Sequence, residues 1–228
     1  MRLLNELIAT EEPAWTEFVK PWIQEATNPV EVLPRNAQRA ENALYQTQVT
    51  TRSPMGAVIY ETGGILIDHG WIRILGSGSE KLNRNVMDWN KGKTYEQHGE
   101  QMPYLLMADD VLGGFFAINA GGLSKEDIGK VFYFAPDDLL WSPTELTYTE
   151  FLFFCFSGNI QQFYQHFYWT GWEKEIASLD GNTGISCFPF LCTKEGSDIN
   201  KVSRKAVPIE ELWALHMDLK RQFHFDQS

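Results

Sequence analysis

The 228-residue chain is 43% hydrophobic and carries 8 Trp and 15 Phe, enough apolar material to bury a sizeable core at a length that suits one domain over residues 1–228. Its formal net charge of -11 opposes nucleic acid as the main ligand, because phosphate binding runs on Lys and Arg displacing counterions. The longest apolar run, Phe151 to Phe156, is too short to span a bilayer, and Asn5 and Glu6 interrupt the leading leucines in a way unlike a signal peptide.

The N-terminal third reads as helical. Trp15, Phe18, Val19, Trp22 and Ile23 fall on one stripe after Pro13, and Pro21 should kink or split the helix. Ala37, Ala40 and Leu44 mark a second helix after Pro34. Met55 to Tyr60 is apolar and ambiguous in type, with N-terminal and C-terminal helical extensions expected around a central sheet. Ile65 to Asp68 and Trp71 to Leu75 read as strands joined at His69-Gly70, followed by a short helix around Leu82 and Val86. The stretch from Leu105 to Asn119 is a β-hairpin in outline: two short apolar runs too rich in aromatics for helices, with Gly113-Gly114 where the chain reverses. Lys130 to Ala135 adds a strand, and Pro136-Asp137-Asp138 closes the block.

Thr147 and Glu150 have the spacing of a capping box ahead of the apolar Phe151 to Phe156. Gly158 interrupts the helix, and Ile160, Phe163, Tyr164 and Phe167 resume the stripe. Burial of Phe151, Phe154, Phe163 and Phe167 is the expectation. Ile185 to Leu191 is a late strand weakened by Pro189, and the last helix runs from Pro208 through Leu212, Leu215 and Leu219. The predicted class is α+β, a mostly antiparallel sheet packed with helices.

No complete catalytic or metal-binding motif stands in the chain. Gly76-Ser77-Gly78-Ser79-Glu80-Lys81 opens like a dinucleotide fingerprint but has Lys81 where the third glycine belongs, so it reads as a tight turn. Cys187, Cys192, His216 and His224 are zinc-ligand types in a spacing that matches no zinc pattern. His69, His98 and His166 lack flanking ligands, and no metal or cofactor is expected. The odd count of cysteines, with Cys155 the third, fits buried thiols in a reducing cytoplasm. Asp109-Asp110 and Asp137-Asp138 are the best carboxylate pairs, yet neighbours on a strand face opposite ways and turn-capping is the commoner use of Asp. From Tyr95 to Glu150 ten acids face two lysines, a balance that suits steering of a basic protein partner. Asp109, Asp110, Asp137, Asp138 and Trp141 are therefore the partner-binding candidates, and Gly63, Gly64, Gly113 and Gly114 the structural turns.

The run from Tyr60 through Gly63-Gly64, Asp68-His69-Gly70-Trp71 and Arg73 to Gly78, then Ala108-Asp109-Asp110 with Gly113-Gly114-Phe115-Phe116, and Gly129 to Phe134, resembles a bacterial family of unknown function. The resemblance extends from about Gly56 to Leu191, through Phe163-Tyr164 and Gly171-Trp172. That family is in turn similar to the SUKH superfamily, the Smi/Knr-like domains. The resemblance implies an α+β domain that binds proteins without shared catalytic residues, many bacterial SUKH-like proteins being immunity proteins that neutralise toxin domains. The expected function is a non-catalytic, cytoplasmic protein-binding module, with occlusion of a basic toxin as its specific form. The alternatives are a small enzyme using Asp109 or Asp110, and a structural homo-oligomer held by its aromatic residues.

Overall fold

Seven antiparallel strands in sequential order form the middle layer of the computed structural model, which describes residues 1–97 and 99–224. The chain begins with a short helix, Leu4–Leu7 (α1), and a π-helical turn, Trp15–Val19, that passes into Lys20–Gln24 (α2). Pro21 is the second residue of this segment, at the junction where the π-helical turn gives way to α-helix. Val30–Leu33 (β1) follows, a strand absent from the helical reading of this region. Its two exposed central residues and four-residue length give little periodic signal.

Ala37–Thr47 (α3) is capped by Asn36, and Pro54–Glu61 (α4) resolves the ambiguous Met55 to Tyr60 segment as a helix. Ser53 caps it by accepting from the N–H of Gly56 at 3.1 Å, with Pro54 in the first turn. Gly64–Ile67 (β2), Ile72–Leu75 (β3), Val86–Asn90 (α5), Tyr104–Asp110 (β4), Phe115–Asn119 (β5) and Lys130–Phe134 (β6) then match the expected order of strands, short helix and hairpin. The hairpin pairs Tyr104 with Asn119 and Asp109 with Phe115, with Gly113-Gly114 in its connection.

Trp141–Thr147 (β7) is a strand that the sequence pattern does not announce, and it forms the sheet edge beyond β6. Pro143 and the positive φ of Glu145 disguise it in sequence, and both features spoil the edge as a template for further strands. Tyr148–Ser157 (α6) begins with the expected Thr147/Glu150 capping box. Ile160–Phe163 (α7), Trp172–Ala177 (α8), Thr183–Phe188 (β8), Ser203–Pro208 (β9) and Ile209–His224 (α9) complete the chain. The strands β8 and β9 make a separate two-stranded ribbon, β9 being too charged to show an apolar pattern.

Successive side chains of β5 enter opposite cores, Phe116 among α4, α6 and α8 residues and Phe115 among those of α3, α5 and α9. Both sheet faces are thus covered. One expectation fails here: Phe151 is fully buried, but Phe154 and Phe167 are only partly so and Phe163 is 39% exposed. The break at Gly158 resets the helical phase, and Ile160 and Tyr164 take the inward positions instead.

Candidate functional site

Asp109 and Asp110 lie at the end of β4 and are both 0% exposed, which removes them from any contact surface and corrects their assignment as partner-binding residues. Asp109 stands directly across from Arg73 on β3 and accepts from its Nε at 2.6 Å. Its other oxygen accepts from Arg84 Nη1 at 2.6 Å. The two guanidinium groups reach on to the carbonyl oxygens of Thr183, Asp110 and Gly181. One carboxylate thereby joins β3, β4, the α5 approach and the entry to β8. A charge inside the otherwise apolar Ile72-Arg73-Ile74-Leu75 is the sequence signal for this network, since a buried Arg requires an acid.

Asp110 closes the hairpin. Its Oδ1 accepts the N–H groups of Leu112 and Gly114, each at 2.9 Å, and its Oδ2 accepts the hydroxyls of Tyr133 at 2.7 Å and Tyr164 at 3.2 Å. Burial raises its pKa, while these donors and Arg73 oppose the rise. Gly114 has no room for a side chain: a Cβ there would lie 2.1 Å from Asp110 Oδ2 and 2.4 Å from the Tyr133 hydroxyl. Gly113 has φ +79°, and its carbonyl oxygen contacts Nδ1 of the buried His216 on α9 at 2.9 Å. Gly63 is a point of close approach, a Cβ there falling 2.7 Å from the Pro34 carbonyl oxygen, and Gly64 opens β2 at φ +141°.

Asp137 and Asp138 occupy the exposed turn between β6 and β7, where Asp138 Oδ1 accepts the N–H of Leu140 at 2.8 Å. Asp137 borders a hollow of about 260 Å³ together with His166 and Cys192. Those are the residue types of a carboxylate, imidazole and thiol set, but no hydrogen bond joins them among the described residues. Burial also pushes the Cys192 thiol up, the reverse of the activation a nucleophile needs.

Trp141 lines a different feature, an open groove of about 640 Å³. Its ring packs 5.4 Å from that of Tyr104 and 5.3 Å from that of Phe134, so the indole is held in place while remaining partly exposed. Trp213 and Met217 of α9 and Leu123 complete the apolar floor. Lys93, Lys220 and Arg221 stand around it. Lys93 pairs with Glu210 at 2.9 Å and Arg221 with Asp218, whereas Lys220 has no carboxylate partner among the described residues and lies over the Phe134 ring. Burial lowers the Lys220 pKa.

The family profile described as "Protein of unknown function DUF2625" matches residues 4–212. The chain belongs to the DUF2625 family. It is 43% identical over its full length to an uncharacterized protein of Haemophilus influenzae, covering 99% of that protein. It is also 40% identical, over 98% of this chain and 99% of the relative, to the putative uncharacterized protein YbfG of Escherichia coli K12.

In this DUF2625 protein no helix among the described residues is long and apolar enough to cross a membrane, and no described group of three or more His, Cys, Asp or Glu is placed to hold a metal ion. Cys187 is buried and pushed up to about 12, and Cys155, also buried, is raised well above the usual thiol range. Burial drives His216 down to about 4, so at neutral pH its ring is uncharged and Nδ1–H donates to Gly113. His69 contacts the Trp172 ring, His166 is exposed, and His98 lies outside the described residues. The meeting of Asp137 with His166 and Cys192 has no local sequence signal, because the three come from separate parts of the chain.

Proposed function

We propose that this DUF2625 protein is a non-catalytic, cytoplasmic protein-binding module whose docking surface is the Trp141 groove. The observation that carries this reading is a partly exposed, pre-positioned Trp141 flanked by Tyr104 and Trp213, since aromatic residues set in a shallow apolar site are the usual anchors of protein contacts. The Lys220 ammonium beside these rings, with no carboxylate partner among the described residues, makes an acidic residue next to an apolar one the complementary surface on the partner. The kinship to SUKH domains suggested by the sequence agrees with a binding role. An immunity function would use the same occlusion, but the toxin face meeting this groove would be apolar and acidic instead of basic.

Selection from a displayed random-peptide library tests this with the partner still unidentified. Enriched peptides should pair an apolar anchor with Asp or Glu. Trp141→Ala should weaken a selected peptide about 30-fold, the equivalent of about 2 kcal/mol for an anchor residue. Lys220→Glu should abolish the preference for acids. Enrichment of basic peptides, or binding indifferent to Trp141→Ala in a folded variant, would overturn the reading.

A further inference from the structure

The hollow at Asp137 draws its walls from three distant stretches: the turn between β6 and β7, the segment after α7, and the loop that follows β8. Phe167, Leu191 and Ile199 make one side apolar. Thr193 and Ser197 border it too, but their hydroxyl protons go to the carbonyl oxygens of Phe190 at 2.7 Å and Lys194 at 2.9 Å. The chemistry left to the hollow is the Asp137 carboxylate, the His166 ring and the Cys192 sulfur. Asp137 is exposed as a residue, yet neighbouring atoms crowd its carboxyl group; this crowding, with a smaller repulsion from Asp138, raises its pKa, and the backbone N–H groups of Asp137 and Asp138 and the nearby His166 oppose the rise only in part. Both raising influences disfavour a solitary negative charge, and a cation seated against Asp137 relieves them.

We propose that this hollow binds a short alkylammonium group, the ammonium paired with Asp137 and the methylenes lying on Phe167, Leu191 and Ile199. A space of about 260 Å³ is smaller than the sites that enclose drug-sized ligands and suits a chain of a few carbons. Aspartate pairing fixes the sign of the ligand and the apolar side fixes its tail, so neither an alcohol nor a carboxylate of the same length is an equivalent. The ammonium has two sources, a free small amine or a lysine side chain of another protein.

Titration of the full chain with n-butylammonium chloride should give a dissociation constant on the order of 1 mM, as expected for a ligand of so few atoms. Asp137→Asn should raise it at least roughly tenfold, and 1-butanol should bind no better to wild type than to that variant. A lysine capped at both ends separates the two sources: binding at similar strength supports a lysine side chain, and its failure beside butylammonium binding supports a free amine. Cys192 gives an independent readout, because it is partly exposed while Cys155 and Cys187 are buried. Butylammonium should slow its alkylation by iodoacetamide at least twofold in wild type, with butanol inert, and this comparison decides the matter even if Asp137→Asn fails to fold. Equal protection by butanol, preferential binding of butyrate, or no butylammonium binding to folded wild-type protein would overturn the proposal.

Discussion

Asp109-Asp110 ends a strand in the middle of the seven-stranded sheet, whereas Asp137-Asp138 occupies the turn that leads to its edge strand. The neighbours differ accordingly. The first pair meets two arginines, two tyrosines and two backbone N–H groups, all inside the fold. The second pair lies in an exposed turn, where Asp138 accepts the Leu140 N–H, nearby backbone N–H groups bond Asp137, and Asp137 borders the hollow. The same dipeptide is an interior cross-link in one place and open surface in the other, and what decides is the residue opposite. Arg73 stands across from Asp109, while among the described residues the sheet has no strand beyond β7 to supply such a partner.

The largest expected effect comes from breaking the interior pair. Asp109→Ala leaves the buried Arg73 without its carboxylate and Arg84 with one fewer acceptor, and loss of one member of a buried ion pair costs about 3–5 kcal/mol. Urea unfolding should show a correspondingly lower midpoint with little change in slope. A loss below about 1 kcal/mol would mean that solvent reaches the arginines, and the contrast between the two pairs would lose its physical basis.

A smaller effect belongs to His216, which supports the same hairpin from α9. Its folded pKa of about 4 lies below the ordinary value of 6.5, so the unfolded chain takes up the proton first. The contribution of His216 is fully present above pH 6.5 and is lost as pH falls toward 4. The shift corresponds to roughly 3 kcal/mol over that window. His216→Gln keeps a donor for the Gly113 carbonyl oxygen but cannot titrate, and its stability should fall less between pH 7 and pH 4 in parallel urea titrations. Asp68 and Asp110, whose pKa values are raised, act with the opposite sign and are common to both proteins, so they cancel in the difference.

How far this contrast is legible in the sequence follows from particular residues. The β4–β5 hairpin is plain because its apolar runs and Gly113-Gly114 agree with one another, and the Thr147/Glu150 box marks the start of α6 because capping is local chemistry. The strands β1, β7 and β9 are obscure because each is short or polar, and β7 also contains Pro143. Asp109 and Asp110 look like surface charge since an acid's burial depends on a partner supplied by another strand. Arg73 is the available clue. Trp141 stands out in the sequence as a partly exposed aromatic, but the charge beside it does not, because Lys220 and Arg221 arrive from α9 at the far end of the chain.

The smallest effect on stability, and the sharpest test of the contrast, is at the surface pair. Asp137→Asn removes a carboxylate that burial and Asp138 already disfavour, while Asp138 retains its bond to the Leu140 N–H. The consequences oppose one another: relief of desolvation and of the repulsion from Asp138 stabilises the turn, and weaker acceptance from the backbone N–H groups of Asp137 and Asp138 together with loss of the attraction to His166 weakens it. Exposed charges are screened, so the net change should stay within about 0.5 kcal/mol, against about 3–5 kcal/mol for the interior acid. Urea unfolding of Asp137→Asn should therefore overlay that of wild type at pH 7. A loss above about 2 kcal/mol would place Asp137 among the supports of the fold and erase its distinction from Asp109. An unchanged midpoint would show that the turn does not need the charge, leaving the carboxylate available to a ligand.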